Sequence, residues 1–340
     1  MADIIVMSGK STDEELSKVI DKIKSIGFDV NISKGKEKIL IGIIGDTRGI
    51  SDEIFRMMPG VIDVITILKE YKLASREFHI EESIIDVEGV KIGGNHFAII
   101  AGPCSVENKT QLFNTAKFIK ENGGNILRGG IFKPRTSPYS FLGLGKEGLR
   151  IIKEVKEEIK IPVVSEVMSP DEVEEIAEVV DILQIGARNM FNYRLLQSVG
   201  NIDKPVLLKR GFEAKISEFL NCAEYILKEG NEKVILCERG IRTFDSEFSR
   251  NTLDLTAIPI LKKETHLPVI VDPSHGTGRR DLVIPMAKGA IGVGADGIMV
   301  EVHPEPEKAL SDGFQSLTLE LFKTMMKEIL PFLKITGKII

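Results

Sequence analysis

Residues 97–340 repeat one hydrophobic pattern: a short apolar run, one or two polar residues, and then an amphipathic stretch. Short apolar runs indicate buried strands, and apolar residues spaced three and four apart indicate helices. The pattern predicts strands near 97–101, 125–129, 162–166, 182–186, 205–209, 233–238, 268–272 and 296–302. Helices are predicted between them, for example at 112–119, 149–159, 172–179 and 216–228. This alternation predicts a (β/α)8 TIM barrel over residues 97–340.

A doubly wound open sheet is the alternative fold for this alternation. Such a sheet that binds a dinucleotide carries a GxGxxG turn after its first strand, and none follows residues 97–101 here. Polar residues end the strands all along the chain rather than at one switch point, which favours the barrel.

Residues 1–75 show a different pattern, with strands and helices predicted in the order β-α-β-β-α-β. The first predicted helix has polar residues at 11–15 that suit an N-cap and an acidic first turn, and Gly27 ends it. This order is typical of a small α+β ferredoxin-like domain. The domain could bind an effector, or it could serve only in packing or oligomerisation.

Residues 76–96 form a predicted linker with a β-hairpin that turns at Glu88-Gly89. The hairpin could cover the closed end of the barrel or could simply connect the two domains.

Composition narrows the class of protein. The net charge of −5 argues against a basic nucleic-acid-binding surface. Three cysteines do not make a disulfide framework, so we expect reduced thiols and a cytoplasmic protein. No apolar run is long enough for a membrane helix, and we expect no secretory leader.

Four potential metal ligands follow predicted strands that are neighbours in a closed barrel. A thiol, an imidazole and two carboxylates together suit a divalent metal such as Mn, Fe, Co or Zn. Taken singly, each residue has a simpler explanation: a buried thiol after a tight turn, a hydrogen-bonded loop histidine, or solvated acids. The four are Cys104, His275, Glu301 and Asp312.

Basic residues also concentrate at the predicted strand ends and β→α loops, although the chain as a whole is acidic. Arginine presents paired donors that match phosphate and carboxylate groups, so this concentration predicts an anionic substrate. A salt bridge at the barrel rim is the alternative for any single one. The set comprises Arg128, Lys133, Arg135, Arg188, Lys209, Arg239, Arg242, Arg279 and Arg280.

Five segments together resemble the 3-deoxy-D-arabino-heptulosonate 7-phosphate (DAHP) synthase family. The resemblance covers essentially all of residues 97–320, and residues 1–75 resemble, more weakly, the ferredoxin-like regulatory domain of some members. The segments are Ala101-Gly-Pro-Cys-Ser-Val-Glu107, Lys133-Pro-Arg-Thr-Ser-Pro138, Gln184-Ile-Gly-Ala-Arg-Asn-Met190, Asp272-Pro-Ser-His-Gly276 and Ser311-Asp-Gly-Phe-Gln-Ser-Leu317.

The resemblance implies a (β/α)8 enzyme that condenses phosphoenolpyruvate with erythrose 4-phosphate and water, using one divalent metal. It implies that Lys133 or His275 transfers a proton. It further implies a homotetramer and an aromatic effector, Tyr or Phe, at the N-terminal domain. The implied phosphoenolpyruvate contacts are Arg128, Lys133, Arg188, Lys209 and Arg239. Arg135 and Thr136 are implied to bind the phosphate of erythrose 4-phosphate and Asp272 its hydroxyls, and Pro134 and Ala187 are further implied substrate contacts.

Two other functions compete with this reading. The related octulosonate 8-phosphate synthases accept arabinose 5-phosphate, but the loop at residues 133–136 resembles the erythrose 4-phosphate type. A non-catalytic barrel that senses a phosphorylated sugar would have no need of a metal opposite its anion sites.

Overall fold

The computed structural model describes residues 3–340 except residues 36, 46, 48–49, 67–69, 134–138 and 246. The chain folds into two compact units. One comprises Met1–Glu82 with Glu264–His266, and the other comprises Ser83–Lys263 with Leu267–Ile340. The predicted loop segment from Pro134 to Pro138 therefore lies outside the described residues.

The first unit is an antiparallel four-stranded sheet with two helices. Its strands lie in the order β2-β3-β1-β4, so β1 and β2 are separated by β3, as in a split β-α-β unit. The predicted order of elements is confirmed. The strands are β1 (Ile4–Ser8), β2 (Asp29–Lys34), β3 (Lys38–Ile44) and β4 (Val61–Ile65), and the helices are α1 (Asp13–Ser25) and α2 (Glu53–Arg56).

Helix α1 begins where the sequence predicts. The Thr12 side chain accepts from the Glu15 backbone N–H, and the Glu15 carboxylate accepts from the Thr12 N–H, which forms a capping box. Leu16, Val19 and Ile23 form one buried stripe that packs on the sheet. Local capping and the apolar period therefore determine this helix together.

The second unit contains a closed barrel, whose strands in the described residues all pair in parallel. The predicted (β/α)8 fold is confirmed. The barrel strands are β7 (Ala98–Gly102), β8 (Ile126–Arg128), β9 (Val163–Val167), β10 (Ile182–Ile185), β11 (Val206–Lys209), β12 (Val234–Glu238), β13 (Val269–Val271) and β14 (Gly297–Glu301).

Helices cover the outside of these strands. The helix predicted at 172–179 is shorter in the structure: a 3-10 turn at Pro170–Glu172 precedes it, and it ends at Ala177. The helices are α3 (Lys109–Glu121), α4 (Lys146–Ile159), α5 (Val173–Ala177), α6 (Tyr193–Gly200), α7 (Ile216–Lys228), α8 (Ala257–Glu264), α9 (Pro273–Thr277), α10 (Arg280–Gly292) and α11 (Leu319–Thr336).

The predicted hairpin is present as β5 (Ile85–Val87) and β6 (Val90–Ile92). Its turn places Glu88 and Gly89 at positive φ. Ile85, Val87 and Ile92 belong to the same buried cluster as the inward-facing strand residues. The hairpin precedes β7 directly, so it fills the amino-terminal end of the barrel and leaves the opposite end for chemistry.

None of the described helices has the length and apolar character needed to cross a membrane.

Candidate active site

Four potential metal ligands meet at the carboxyl ends of neighbouring strands. Cys104 follows β7, His275 lies in α9 after β13, Glu301 ends β14, and Asp312 precedes a 3-10 turn. One ligand atom from each lies within 4.8 Å of the others. The barrel order places β13, β14 and β7 side by side, which is why residues so distant in sequence converge.

His275 is held with one ring nitrogen directed at this cluster. Its Nδ1 lies 2.7 Å from Asp272 Oδ2, while its Nε2 lies 3.3 Å from Glu301 Oε1. Asp272 also caps α9 by accepting from the His275 backbone N–H at 2.9 Å. Burial lowers the pKa of His275 despite Asp272 and Glu301. The neutral ring therefore donates its Nδ1–H to Asp272 and leaves the Nε2 lone pair for a ligand.

Glu301 is a buried carboxylate with two unlike oxygens. Its Oε2 accepts from Gln315 Nε2 at 2.6 Å. Its Oε1 makes no hydrogen bond within the described part of the chain, although Arg128 Nη2 is 3.2 Å away. A buried oxygen without a hydrogen bond is costly, and a cation at this position would compensate it.

Cys104 completes the cluster with a buried thiol. Its Sγ lies 3.2 Å from Ser311 Oγ and 3.3 Å from Asp312 Oδ2. Burial and the charge of Glu301 raise the pKa of this thiol to about 12. The protein alone thus keeps the thiol protonated, and a bound metal ion would be required to make it a thiolate ligand.

A pocket of about 290 Å³ opens beside the cluster at the same end of the barrel. Among the described residues, six cationic side chains but only two carboxylates line it. This excess of positive charge suits a ligand with more than one anionic group. The lining comprises Arg128, Lys133, Ser140, Glu166, Gln184, Gly186, Ala187, Arg188, Lys209, Phe212, Arg239, Arg250, His275, Ser311 and Asp312.

Arg128 and Lys133 are charged although they are buried. Burial opposes the charge of Arg128, but Glu301 and Asp272 hold its pKa above the ordinary value. Its Nη1 has no hydrogen-bond partner among the described residues, so this donor is available to a ligand anion. Burial likewise opposes the charge of Lys133, while Cys104 and Glu166 hold its pKa above the ordinary value.

The structure therefore brings together, in one pocket, most of the residues proposed from the sequence. Arg128, Lys133, Arg188, Lys209 and Arg239 all line it, as does Ala187. Pro134, Arg135 and Thr136 lie outside the described residues.

Asp272 does not line the pocket. The resemblance implies that it contacts substrate hydroxyls, but the carboxylate is fully buried, with Oδ2 2.5 Å from Lys209 Nζ and 2.7 Å from His275 Nδ1. Burial opposes its charge, yet His275 and Lys209 hold its pKa well below the ordinary value. Asp272 is thus a fixed anion beneath the pocket that orients two lining residues.

Three of the predicted cations also lie away from the pocket lining. Arg279 pairs with Asp281, and Arg280 bonds the Ser316 carbonyl and Glu307. Arg242 pairs with Glu213 at 3.4 Å. Each of the three bonds to a nearby acid or carbonyl. A salt bridge at the barrel rim was the alternative explanation for any single basic residue.

Sequence reasoning did not single out several lining residues. Arg250 lies in the loop after β12 and contacts Asp312 and Gln315. Its position in a β→α loop could have indicated that it lines the pocket. Glu166 lies within β9. Gly186, directly after β10, leaves it room, since a Cβ there would be 2.0 Å from Glu166 Oε1. Phe212 carried no sequence signal.

Comparison with known proteins places this site in a family. Residues 77–334 match the model of the DAHP synthetase I family, and residues 4–69 match that of the DAHP synthase ferredoxin-like domain. The chain is 55% identical over 326 residues to the phospho-2-dehydro-3-deoxyheptonate aldolase of Thermotoga maritima, covering 96% of each chain. It is 37% identical over 266 residues to a 2-dehydro-3-deoxyphosphooctonate aldolase of a Geobacter species, covering 72% of this chain and 95% of that protein.

Solved structures agree with these sequence matches. The crystal structure of the Thermotoga maritima DAHP synthase superposes with a TM-score of 0.79 at 53% identity, covering 98% of both chains. A truncated form of that enzyme superposes with a TM-score of 0.74 at 53% identity, covering 79% of this chain and 98% of its own. The chain therefore belongs to the DAHP synthase family, whose condensation opens the shikimate pathway, and carries that family's ferredoxin-like domain.

Proposed function

We propose that the enzyme joins phosphoenolpyruvate to D-erythrose 4-phosphate with the addition of water, and releases DAHP and inorganic phosphate. The observation that carries this proposal is the four-ligand cluster beside a pocket with six cationic side chains. Phosphoenolpyruvate carries a phosphate and a carboxylate, and these two anionic groups match a pocket lined by several cationic side chains.

One divalent metal, among Mn, Fe, Co and Zn, would be held by Cys104, His275, Glu301 and Asp312. The donor set fits such an ion because it combines a thiol, a neutral imidazole nitrogen and two carboxylates within 4.8 Å. When bound, the metal would act as a Lewis acid toward the aldehyde oxygen of the acceptor. The Asp272 and Gln315 contacts orient His275 and Glu301 for this role.

The phosphate and carboxylate of phosphoenolpyruvate are bound by Arg128, Lys133, Arg188, Lys209 and Arg239, with the backbone at Ala187. The Nη1 of Arg128 supports this assignment, because it makes no hydrogen bond among the described residues and lies 3.9 Å from Asp272 Oδ2. Fixing the enol carbon against the acceptor aldehyde in one pocket removes much of the entropic barrier to the C–C bond. The family resemblance gives the acceptor phosphate to Arg135 and Thr136, with Pro134 as a further substrate contact, and this stays a prediction.

Lys133 serves as the proton donor, and His275 is the alternative. Lys133 is buried in the pocket wall, and the raised pKa keeps its ammonium protonated at neutral pH. Asp272 does not contact substrate in this proposal. It positions Lys209 and His275, which differs from the role implied by the resemblance.

The ferredoxin-like domain binds an aromatic amino acid, Tyr or Phe, and this effector reduces turnover. The match of residues 4–69 to that domain family supports a regulatory ligand there. We further propose a cytoplasmic homotetramer that has no nucleic-acid or membrane partner, in line with the net charge of −5.

The octulosonate reaction is the second candidate, because the Geobacter relative shares 37% identity over the barrel. Phosphate release from phosphoenolpyruvate, with either erythrose 4-phosphate or arabinose 5-phosphate, tests both. We expect turnover only with erythrose 4-phosphate, and loss of turnover after chelation that added metal restores. Turnover only with arabinose 5-phosphate would assign the chain to the other reaction. Turnover that survives complete chelation would refute the metal assignment.

A further inference from the structure

Phe212 is an aromatic side chain in a pocket lined mostly by polar and charged groups. It follows β11 and is half-buried in the pocket wall. Three guanidinium groups lie over its ring: the Arg239 Cζ is 4.6 Å from the ring centroid, that of Arg242 4.8 Å, and that of Arg188 5.4 Å. All three distances lie within the range in which an aromatic face attracts a cation.

Arg188 and Arg239 line the pocket, and neither forms a salt bridge with a carboxylate among the described residues. Arg239 is nevertheless buried, and its Nη1 makes only a 3.5 Å contact with the Gly240 carbonyl. Burial lowers the pKa of Arg239, and the charges of Asp272 and Glu238 oppose this only through space. The ring of Phe212 is the surface that lies against both guanidinium groups.

Arg210 provides an internal comparison two residues earlier in the chain. Its guanidinium bonds to Glu238 at 2.9 Å and to Asp254 at 2.9 Å, and it does not line the pocket. A carboxylate partner occupies N–H donors and cancels the positive field. An aromatic face stabilises the cation through its π-electrons and leaves the N–H edges free for a ligand.

The backbone around Phe212 is firmly held. The Phe212 carbonyl accepts from the Arg242 N–H at 2.8 Å, and Arg210 Nε donates to the Ala214 carbonyl at 3.0 Å. The ring is therefore presented to the pocket by a fixed turn rather than by a loose surface segment.

We propose that Phe212 is a positioning residue for anion binding, whose ring face holds Arg188 and Arg239 with their N–H donors directed to the phosphoenolpyruvate anion. This rests on the proposed function and deepens it. Because this role concerns anion binding rather than bond formation, loss of the ring should weaken binding of phosphoenolpyruvate while the rate at saturation is kept.

The test compares Phe212→Leu, which keeps apolar bulk, with Phe212→Tyr, which keeps the aromatic face. Phe248→Leu is the matched control, because Phe248 is 66% exposed and does not line the pocket. Titration calorimetry of the full-length, chelated protein measures dissociation constants for phosphoenolpyruvate and inorganic phosphate. Steady-state assays of the metal-loaded protein give KM and kcat.

We expect Phe212→Leu to weaken phosphoenolpyruvate binding about 5- to 30-fold, the equivalent of ~1–2 kcal/mol, and to raise KM similarly. Phe212→Tyr and Phe248→Leu should stay within about twofold of the wild type. Unchanged affinity in Phe212→Leu would overturn the inference, as would an equal loss in Phe212→Tyr. A fall in kcat with unchanged affinity would also overturn it, because that indicates a structural or chemical role.

Binding of inorganic phosphate tests the role of Phe212 even if phosphoenolpyruvate is not the substrate. Wild-type protein that binds phosphate but not phosphoenolpyruvate would refute the substrate, and the Phe212 variants would then be judged by their phosphate affinity. Wild-type protein that binds neither anion would refute both.

Discussion

His275 shows how neighbours prepare a single side chain for its role. A histidine can present either ring nitrogen, and the choice depends on which one is hydrogen-bonded. Asp272 fixes Nδ1 at 2.7 Å, so Nε2 points to Glu301 and the cluster. The sequence pattern predicts His275 as a ligand, but its tautomer and the direction of its ring follow from the contact with Asp272.

Substitution of Cys104 tests the four-ligand assignment directly. We expect Cys104→Ala to abolish turnover and to lower metal affinity at least ~100-fold while the fold is retained, because one of four ligands is lost. Cys222→Ala is the matched control, since Cys222 is also a buried thiol but lies in α7. Bound metal is measured by elemental analysis after dialysis, with circular dichroism as a check on folding. Full activity and full metal content in Cys104→Ala would contradict the four-ligand assignment.

At the scale of elements, the strand ends were easier to predict than the loops that follow them. All eight predicted barrel strands overlap the observed ones, because apolar runs reflect burial locally. The segment after β13 was expected to be a loop, but it contains the one-turn helix α9, capped by Asp272. Short helices carry too few residues to show a period.

Gly102 joins β7 to the turn that presents Cys104. Its φ is +152°, and a Cβ would lie 2.1 Å from the Arg128 carbonyl oxygen. We expect Gly102→Ala to lower the free energy of unfolding by about 3 kcal/mol, since the backbone of β8 would have to move. Turnover should fall with it, because both Cys104 and Arg128 shift.

Gly292 in α10 is the control for that substitution, as nothing lies within 4 Å of its added Cβ. Gly292→Ala should leave stability unchanged or raise it by up to ~1 kcal/mol. Urea denaturation measures the free energy of unfolding of both variants. Equal free energies of unfolding for the two variants would show that the close approach of β7 and β8 does not require a glycine at position 102.

At the scale of the whole molecule, the two compact units correspond to two family matches. The barrel unit contains every described residue of the pocket and the metal-ligand cluster. The truncated form of the Thermotoga maritima enzyme covers 79% of this chain.

A variant lacking residues 1–82, the first continuous segment of the N-terminal unit, should retain turnover within about threefold of the full chain. It should also lose inhibition by Tyr or Phe, because the proposed effector site is removed while the pocket is kept. Initial rates across an effector titration, for full-length and truncated proteins, provide the measurement. Inhibition of equal strength in the truncated enzyme would place the effector site in the barrel.

The sequence by itself determined the secondary structure of the two domains, the barrel and the four residues of the candidate metal cluster. These depend on local apolar periods and on a fixed neighbour order in a closed sheet. Only the tertiary structure decided which cations face the pocket: Arg250 does, whereas Arg279 and Arg280 do not. It alone placed Asp272 beneath the lining and the Phe212 ring against Arg239. The physical reason is that side-chain direction at a strand end depends on loop conformation and on partners from other strands, which no local pattern encodes.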